Sequence, residues 1–233
     1  MIIAANFKTN HTRASTKMFI SELESFMKIE DIKDRVMVFP TNTAIDRFDS
    51  DVTIGVQNGY PTHNGSFTGE IGLEQIEEFD IKTILIGHSE RRHILGESQK
   101  VIAQKYQYYK EQGFEIVYCV GEPLEVREDG EDAVKEYVMN QFDGIDTTYE
   151  NLIIAYEPVW AIGTGKVATT DEIASIHTTI KTLFHKPILY GGSVKPENIK
   201  EILAVPNVDG ALIGTASWDI DSFKKIITIS NEL

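Results

Sequence analysis

Short β-branched and apolar runs recur along the chain, at intervals long enough for a helix or a crossover segment between them. Several of the runs are apolar throughout, which is typical of parallel strands that are covered on both faces. They predict eight strands: Ile2–Asn6, Arg35–Phe39, Thr53–Gln57, Lys82–Gly87, Phe114–Val120, Leu152–Glu157, Pro187–Gly191 and Asp209–Gly214.

The segments between these runs carry apolar residues at helical spacing, with one stripe on each of three predicted helices. The stripes are Phe19, Leu23, Phe26 and Met27; Ile173, Ile176, Ile180 and Leu183; and Ile220, Phe223, Ile226 and Ile227. Thr169 and Glu172 are spaced as a capping box that opens the second of these helices. Pro196 is placed where the first turn of another helix would begin.

Alternating strands and helices predict an α/β fold. Eight strand-like runs, each followed by a segment that is helical or at least long enough for a crossover, favour a (β/α)₈ TIM barrel formed by residues 1–233 as a single domain. An open doubly wound sheet is the rival, but it needs a glycine-rich turn after the first strand, where Asn6-Phe7-Lys8 stands instead. The second crossover, Thr43–Phe48, has room for only one or two helical turns, so that helix is expected to be distorted. The connection at His185–Lys186 is also short.

The net charge, the cysteine count and the length of the apolar runs indicate which kinds of protein the chain does not resemble. The chain has 233 residues, a net charge of −14 and one cysteine, Cys119. So acidic a chain is a poor partner for nucleic acid or an anionic membrane, and no apolar run approaches the ~20 residues that span a bilayer. The single cysteine and the absence of a signal-like N-terminus predict a cytoplasmic protein.

In a barrel, chemistry gathers at the carboxyl ends of the strands. The polar residues there include an amide and an ammonium (Asn6, Lys8), an imidazole (His88) and a carboxylate (Glu157). Glycine-rich turns follow the seventh and eighth strands, where many barrels bind phosphate through backbone N–H groups. Such amides attract an anion without changing the net charge.

Four segments in this order resemble the triosephosphate isomerase family, and the resemblance runs from Ile2 to the last helix. They are Asn6-Phe7-Lys8, Gly87-His88-Ser89-Glu90-Arg91-Arg92, Ala155–Lys166 and Tyr190-Gly191-Gly192-Ser193-Val194. The resemblance implies an enzyme that interconverts dihydroxyacetone phosphate and D-glyceraldehyde 3-phosphate through an enediolate, with no cofactor.

The same resemblance assigns the catalytic roles. Glu157 is the base that moves the proton, and His88 is the neutral electrophile that polarises the carbonyl. Lys8 places a positive charge near the developing oxyanion, and Asn6 donates a hydrogen bond beside it. Glu90 is a partner of Lys8 rather than a reactant.

The family's mobile lid corresponds to Pro158–Ala168, which is expected to exclude water and hold the phosphate. Trp160 and Ile162 favour this interpretation over a plain surface loop, because large apolar side chains need a pocket. The backbone N–H groups expected to bind the phosphate are those of Gly163, Ser193, Gly214 and Thr215. Thr215 stands where many members have glycine, and Phe7 where they usually have tryptophan.

A long loop, Asn58–Glu70, has no obvious internal structure, and such loops are usually functional. Its end resembles the loop by which this family's subunits reach each other's sites. The resemblance implies a homodimer, with Thr68 near the partner's active site.

Alternatives remain open from the residues alone. A barrel aldolase would use Lys8 as a Schiff base, and a binding protein would hold a phosphate ester without converting it. Six histidines permit a metal, but the spacing of His88 and His93 matches no zinc motif, so no metal is expected. Cys119 is a possible nucleophile, although packing is favoured.

Overall fold

A computed structural model describes residues 1–163 and 166–233 of the chain. Its strands are β1 Ile2–Asn6, β2 Arg35–Phe39, β3 Thr53–Ile54, β4 Thr83–Ile86, β5 Glu115–Val120, β6 Leu152–Tyr156, β7 Ile188–Tyr190 and β8 Gly210–Ile213. They form one parallel eight-stranded sheet in the order β3-β2-β1-β8-β7-β6-β5-β4. A single parallel bridge between Val56 and Ile84 joins the two ends of this sheet. The predicted (β/α)₈ barrel is confirmed.

The third strand is shorter than the predicted Thr53–Gln57. Regular pairing ends at Ile54, and beyond it only Val56 bridges to β4. A side chain at Gly55 would put its Cβ 2.3 Å from Cε1 of Phe39, so only glycine fits against that ring. The Gly55 N–H still donates to the Val38 carbonyl at 2.9 Å, so contact between the neighbouring chains continues just beyond β3.

Helices follow most of the strands. They are α1 Arg13–Ile29, α2 Leu73–Glu77, α3 Ser89–His93, α4 Gln99–Glu111, α5 Leu124–Glu128, α6 Glu131–Asn140, α7 Thr170–Phe184, α8 Ile199–Leu203 and α9 Ile220–Asn231. The predicted capping box is present at the start of α7, where Thr169 and Glu172 exchange hydrogen bonds. Helix α8 begins at Ile199 rather than at Pro196, because Lys195 to Asn198 form a turn first.

The short crossovers have the structure that their length allows. Between β2 and β3 the chain forms one 3₁₀ turn, Asn42–Ala44, and no α-helix, as expected for so short a segment. Helix α7 ends at His185, whose left-handed φ of 51° turns the chain directly into β7. Both short connections lie in the outer, helical part of the barrel, and the eight strands are present beside them.

The core has two layers because successive strand residues point to opposite faces of the sheet. One cluster fills the barrel interior. It consists of small and medium side chains together with the aromatic ring of Phe39. Its buried members are Ala4, Met37, Phe39, Leu85, Val117, Cys119, Ile153, Ala155, Leu189 and Leu212. The alternate residues, such as Ile3, Ile116 and Ile154, pack outward against the helices.

Candidate active site

The largest group of strand-end polar residues lines one cavity of about 620 Å³. Asn6, Lys8, His88 and Glu157 all contribute to its wall, although they come from segments far apart in the sequence. The turns that follow β7 and β8 line the same cavity, through residues 191–197 and 214–216. The barrel therefore brings the predicted catalytic and phosphate-binding groups to one opening.

Glu157 directly follows β6 and is almost fully buried, with 2% of its surface exposed. Its Oε1 lies 3.0 Å from Nε2 of His88, and its Oε2 accepts a hydrogen bond of 3.0 Å from the Ser89 N–H. Burial raises the pKa of the Glu157 carboxyl, but the His88 ring and the Ser89 N–H outweigh it, so the pKa is lowered overall. The resting carboxyl is therefore ionised at neutral pH.

His88 lies between β4 and α3, and both ring nitrogens have partners. Its Nδ1 accepts a hydrogen bond of 3.3 Å from the Glu90 N–H at the first turn of α3. A ring nitrogen that accepts an N–H carries no proton, so the proton of the ring belongs on Nε2. This tautomer donates from Nε2 toward Glu157 and leaves the ring neutral.

Lys8 is held in an unusual backbone conformation, with φ of 51°. Its N–H donates to Oδ1 of Asn6 at 3.0 Å, and its carbonyl accepts a hydrogen bond of 2.9 Å from Gln57. Its ammonium forms an ion pair of 2.7 Å with Oε1 of Glu90, as the sequence predicted. This pairing is the one that the resemblance to the isomerase family implied, and it gives no support to the Schiff-base aldolase.

The predicted phosphate-binding groups belong to the same cavity, and Gly214 lies beside the Lys8 side chain. Gly163, Ser193, Gly214 and Thr215 line the cavity wall, and Thr215 opens a 3₁₀ turn that ends at Ser217. The Ser193 hydroxyl donates to the Ala161 carbonyl at 2.6 Å, which ties the β7 turn to the first part of the lid segment. Two members of the lid motif, Thr164 and Gly165, lie outside the described residues.

Sequence reasoning missed Glu122, which has no exposed surface. It accepts hydrogen bonds from the indole N–H of Trp160 at 2.9 Å and from the hydroxyl of Tyr156 at 3.0 Å. Burial raises the pKa of this carboxyl, while Trp160, Arg127 and Tyr156 oppose the shift. Glu122 follows β5, so an inspection of every strand end would have found it.

Two lysines that the sequence did not single out also line the cavity. Lys195 follows the β7 turn, and Lys225 projects from α9. Both are exposed, and together with Lys8 they bring positive charge to this opening of a protein whose net charge is −14. The same wall contains the carboxylates of Glu157, Glu197 and Asp219, so the three lysines offset the acidic groups of the opening.

Cys119 lies in the barrel interior with no exposed surface. Burial raises the pKa of its thiol well above the usual value, and the nearby carboxylate of Glu157 adds to the shift. A thiol that stays protonated is a poor nucleophile, so Cys119 is a packing residue.

Thr68 does not line the cavity of its own chain. It is exposed, in a loop between Gln57 and Gly72 that forms no helix or strand. The contact with a second subunit that the sequence implied therefore stays a prediction.

Within residues 1–163 and 166–233, no three His, Cys, Asp or Glu side chains are grouped so as to hold a metal ion. None of the helices in these ranges combines the length and the apolar character that crossing a membrane requires.

Comparison with known proteins gives one consistent result. A family model described as triosephosphate isomerase matches residues 1–230. A protein of a Sulfurovum species, named triosephosphate isomerase, is 60% identical over 97% of this chain and 99% of its own length. A protein of the same name from a Nitratiruptor species is 56% identical over 100% of this chain and 100% of its own length. Another, from Sulfurimonas denitrificans, is 54% identical over 96% of this chain and 93% of its own length.

Proposed function

The chain belongs to the triosephosphate isomerase family, and from this premise we propose that Glu157, His88 and Lys8 carry out its reaction. The enzyme interconverts dihydroxyacetone phosphate and D-glyceraldehyde 3-phosphate. Such an isomerisation moves one proton between two adjacent carbons and needs no external acceptor. A single carboxylate that can face both carbons is sufficient to carry that proton.

Glu157 is the proposed base. It removes a proton from the hydroxymethyl carbon of dihydroxyacetone phosphate, and that electron pair forms the carbon–carbon double bond of an enediolate. The carbonyl electrons move to oxygen, where His88 donates its Nε2 proton as a hydrogen bond. Both oxygens of Glu157 are occupied in the resting site, so substrate binding has to replace the contacts to His88 and Ser89.

The second half of the reaction returns the proton. Glu157 delivers it to the neighbouring carbon. The proton of the first carbon's hydroxyl passes by way of His88 Nε2 to the oxygen of the second carbon, so that the first oxygen becomes the new carbonyl and the second becomes a hydroxyl. Through both steps the negative charge stays on the two substrate oxygens, and Lys8 and Asn6 stabilise it. Glu90 fixes the Lys8 ammonium by the ion pair of 2.7 Å, which spares the site any reorganisation as the charge develops.

The phosphate has its own set of proposed ligands on the wall of this cavity. We assign its ligands to the backbone N–H groups of Gly163, Ser193, Gly214 and Thr215. Lys8, Lys195 and Lys225 supply positive charge around the opening, which offsets the repulsion from an acidic protein. An anion bound by neutral amides is stabilised without a permanent high charge in the site.

The lid begins at Pro158, and two contacts hold its first part. Glu122 accepts the indole N–H of Trp160, and Ser193 donates to the carbonyl of Ala161. Because both partners belong to the barrel, they fix the base of the lid on the strand ends. We infer that closure over the phosphate keeps water from the enediolate and prevents loss of phosphate as a side reaction.

One observation carries this proposal. The carboxylate of Glu157 and the imidazole of His88 lie 3.0 Å apart, both buried, in the same cavity as Lys8 and the two glycine-rich turns. A protein that only bound a phosphate ester would have no use for a base beside an electrophile.

A coupled assay in both directions tests the proposal, with the wild type and the variants Glu157→Gln and Glu150→Gln. Gln is close in size to Glu but cannot accept a proton from carbon, so Glu157→Gln is expected to lose on the order of 10³-fold or more in kcat. Glu150 is exposed at the opposite end of the β6 strand, and its variant is the matched control. Near-wild-type turnover of Glu157→Gln would remove Glu157 from the mechanism.

We further propose that the enzyme is a homodimer, joined through the loop that contains Thr68. Apolar side chains are exposed on this loop and just after α3, where Phe67, Ile94 and Leu95 show 43%, 77% and 64% of their surfaces. Sedimentation velocity would show a species of twice the chain mass, and Thr68→Arg should shift it toward the monomer. A monomeric wild type at micromolar concentration would contradict this proposal.

The proposed location is the cytoplasm. The triose phosphates are intracellular metabolites, and the chain has a single cysteine, which is buried in the barrel. Fractionation of the source cells should recover the activity with the cytosolic proteins. Recovery with the envelope or the medium would overturn the proposal.

A further inference from the structure

Trp218 lies after the turn that follows β8 and is hydrogen-bonded to the end of β1. It follows the 3₁₀ turn Thr215–Ser217, which begins at one of the proposed phosphate contacts. Its indole N–H donates to the Asn6 carbonyl at 3.2 Å. Its own carbonyl lies 3.0 Å from Nε2 of His11, and since a carbonyl only accepts, that nitrogen is the donor.

The bond to Asn6 lies just where the sheet stops supporting the first strand. Pairing between β1 and β8 ends with Ala5 opposite Ile213, so among the described strand pairs Asn6 has no partner residue on β8. On the other side the chain is still held, because the Phe7 N–H donates to the Phe39 carbonyl at 3.1 Å. The indole of Trp218 therefore replaces the missing strand partner at Asn6, where β1 ends and the loop Asn6–His11 begins.

The loop from Asn6 to His11 needs such support. Lys8 and His11 both have positive φ, at 51° and 68°, in a region that non-glycine residues adopt only when their surroundings hold them. Trp218 binds the first residue of this loop through its ring and the last through its carbonyl. Contact between aromatic rings also stabilises the loop, since the His11 ring lies 4.5 Å from that of Phe7.

We propose that Trp218 is a positioning residue that fixes Asn6 and Lys8 against the phosphate turn at the end of β8. The inference rests on the proposed function, because it assumes that Asn6 and Lys8 act on the substrate. It goes beyond that function in assigning to Trp218 a role in the geometry of the reaction. Loss of the indole N–H lets the end of β1 shift, and misplacement of a catalytic group by a fraction of an ångström lowers the rate.

The test is Trp218→Phe, which keeps an aromatic ring and removes the N–H. We expect kcat to fall about tenfold at 25 °C, with the protein still folded by circular dichroism. Tyr149→Phe is the matched control. It also removes one side-chain bond to a backbone carbonyl, the 2.8 Å contact with Phe114, which lies just before β5 at the far end of the barrel.

Thermal unfolding separates the two possible roles. A merely structural Trp218 would lower the melting temperature, as Tyr149→Phe does, and leave kcat of the folded enzyme unchanged. A positioning Trp218 lowers both. A kcat of Trp218→Phe within about twofold of the wild type would overturn the inference.

A second variant keeps the inference testable if Trp218→Phe does not fold. His11→Phe keeps an aromatic ring against Phe7 and removes the bonds of the imidazole to the Trp218 carbonyl and to the Ser15 hydroxyl. Since Ser15 lies in α1 and lines no part of the cavity, we attribute the expected drop in kcat of about threefold to the bond to Trp218. An unchanged kcat in a folded His11→Phe would then refute the inference. Glu157→Gln, assayed alongside, distinguishes the two failures: if it is active, the proposed function fails; if it is inactive while the Trp218 and His11 variants are unaffected, only this inference fails.

Discussion

Gly191→Ala places one methyl group directly against the catalytic base. A Cβ at residue 191 would lie 2.8 Å from Cγ of Glu157 and 3.3 Å from the Tyr156 carbonyl oxygen. Gly191 does not have a positive φ, so alanine fits the backbone and the effect comes from contact alone. Since carbon atoms pack no closer than ~3.5 Å without repulsion, relief of this contact needs a movement of about 0.7 Å.

Most of this movement has to be taken up by the side chain of Glu157. The backbone is fixed on both sides, because the Gly191 N–H donates to the Tyr156 carbonyl at 2.7 Å and the Glu157 N–H donates to the Val120 carbonyl at 2.7 Å. A displacement of ~1 Å at a catalytic group costs about 100-fold in rate, so 0.7 Å predicts a loss between about 10- and 100-fold in kcat. The fold itself should remain intact.

The assay is steady-state isomerisation, with inhibition by inorganic phosphate measured in parallel. We expect kcat to fall while the inhibition constant for phosphate changes little, because the new methyl group faces Glu157 rather than the β8 turn. A folded Gly191→Ala enzyme with kcat within about threefold of the wild type would refute the proposed position of the base.

Other predictions concern the base, acid stability and metal. Glu157→Asp draws the carboxylate back by one methylene, so kcat should fall on the order of 100-fold with far less change in KM; equal turnover of the two enzymes would refute the role. Burial lowers the pKa of His177 from 6.5 to about 4. The unfolded chain therefore binds a proton first as pH falls, and about 3 kcal/mol of stability is lost between pH 6.5 and 4. Urea titrations at pH 7 and 4.5 would show this loss, and His177→Leu should reduce it. EDTA should leave activity unchanged; activity restored by added metal would contradict this.

The barrel was predictable because strand and helix patterns depend on local sequence. Runs such as Leu152–Tyr156 are apolar throughout, since both faces of each strand are covered, and this signal survives without any knowledge of neighbours. The third strand was less predictable. The ring of Phe39 fills the space beside Gly55, and such a contact between strands is not contained in the pattern of one strand.

Residues of the site could be predicted where a sequence motif marks the end of a strand. They could not be predicted where only a tertiary contact gives the residue its role. Lys8 and Glu90 were paired on the strength of the family resemblance, and the structure places them 2.7 Å apart. The bonds of Glu122 to the lid and of Trp218 to Asn6 join residues 38 and 212 positions apart. Nothing in the local sequence of either residue indicates such a partner. Whether Thr68 reaches a second subunit depends on a surface that one chain does not contain.

Isomerisation in D₂O tests the central claim most directly, because it follows the proton that Glu157 is proposed to carry. Dihydroxyacetone phosphate is converted, the aldehyde product is trapped by oxidation, and deuterium at its second carbon is measured by NMR. A carboxyl proton exchanges with solvent, so we expect most of the product to carry deuterium there and Glu157→Gln to form almost no product. Product without solvent deuterium at that carbon, formed by Glu157→Gln as fast as by the wild type, would mean that hydrogen passes directly between the two carbons, and it would contradict the account.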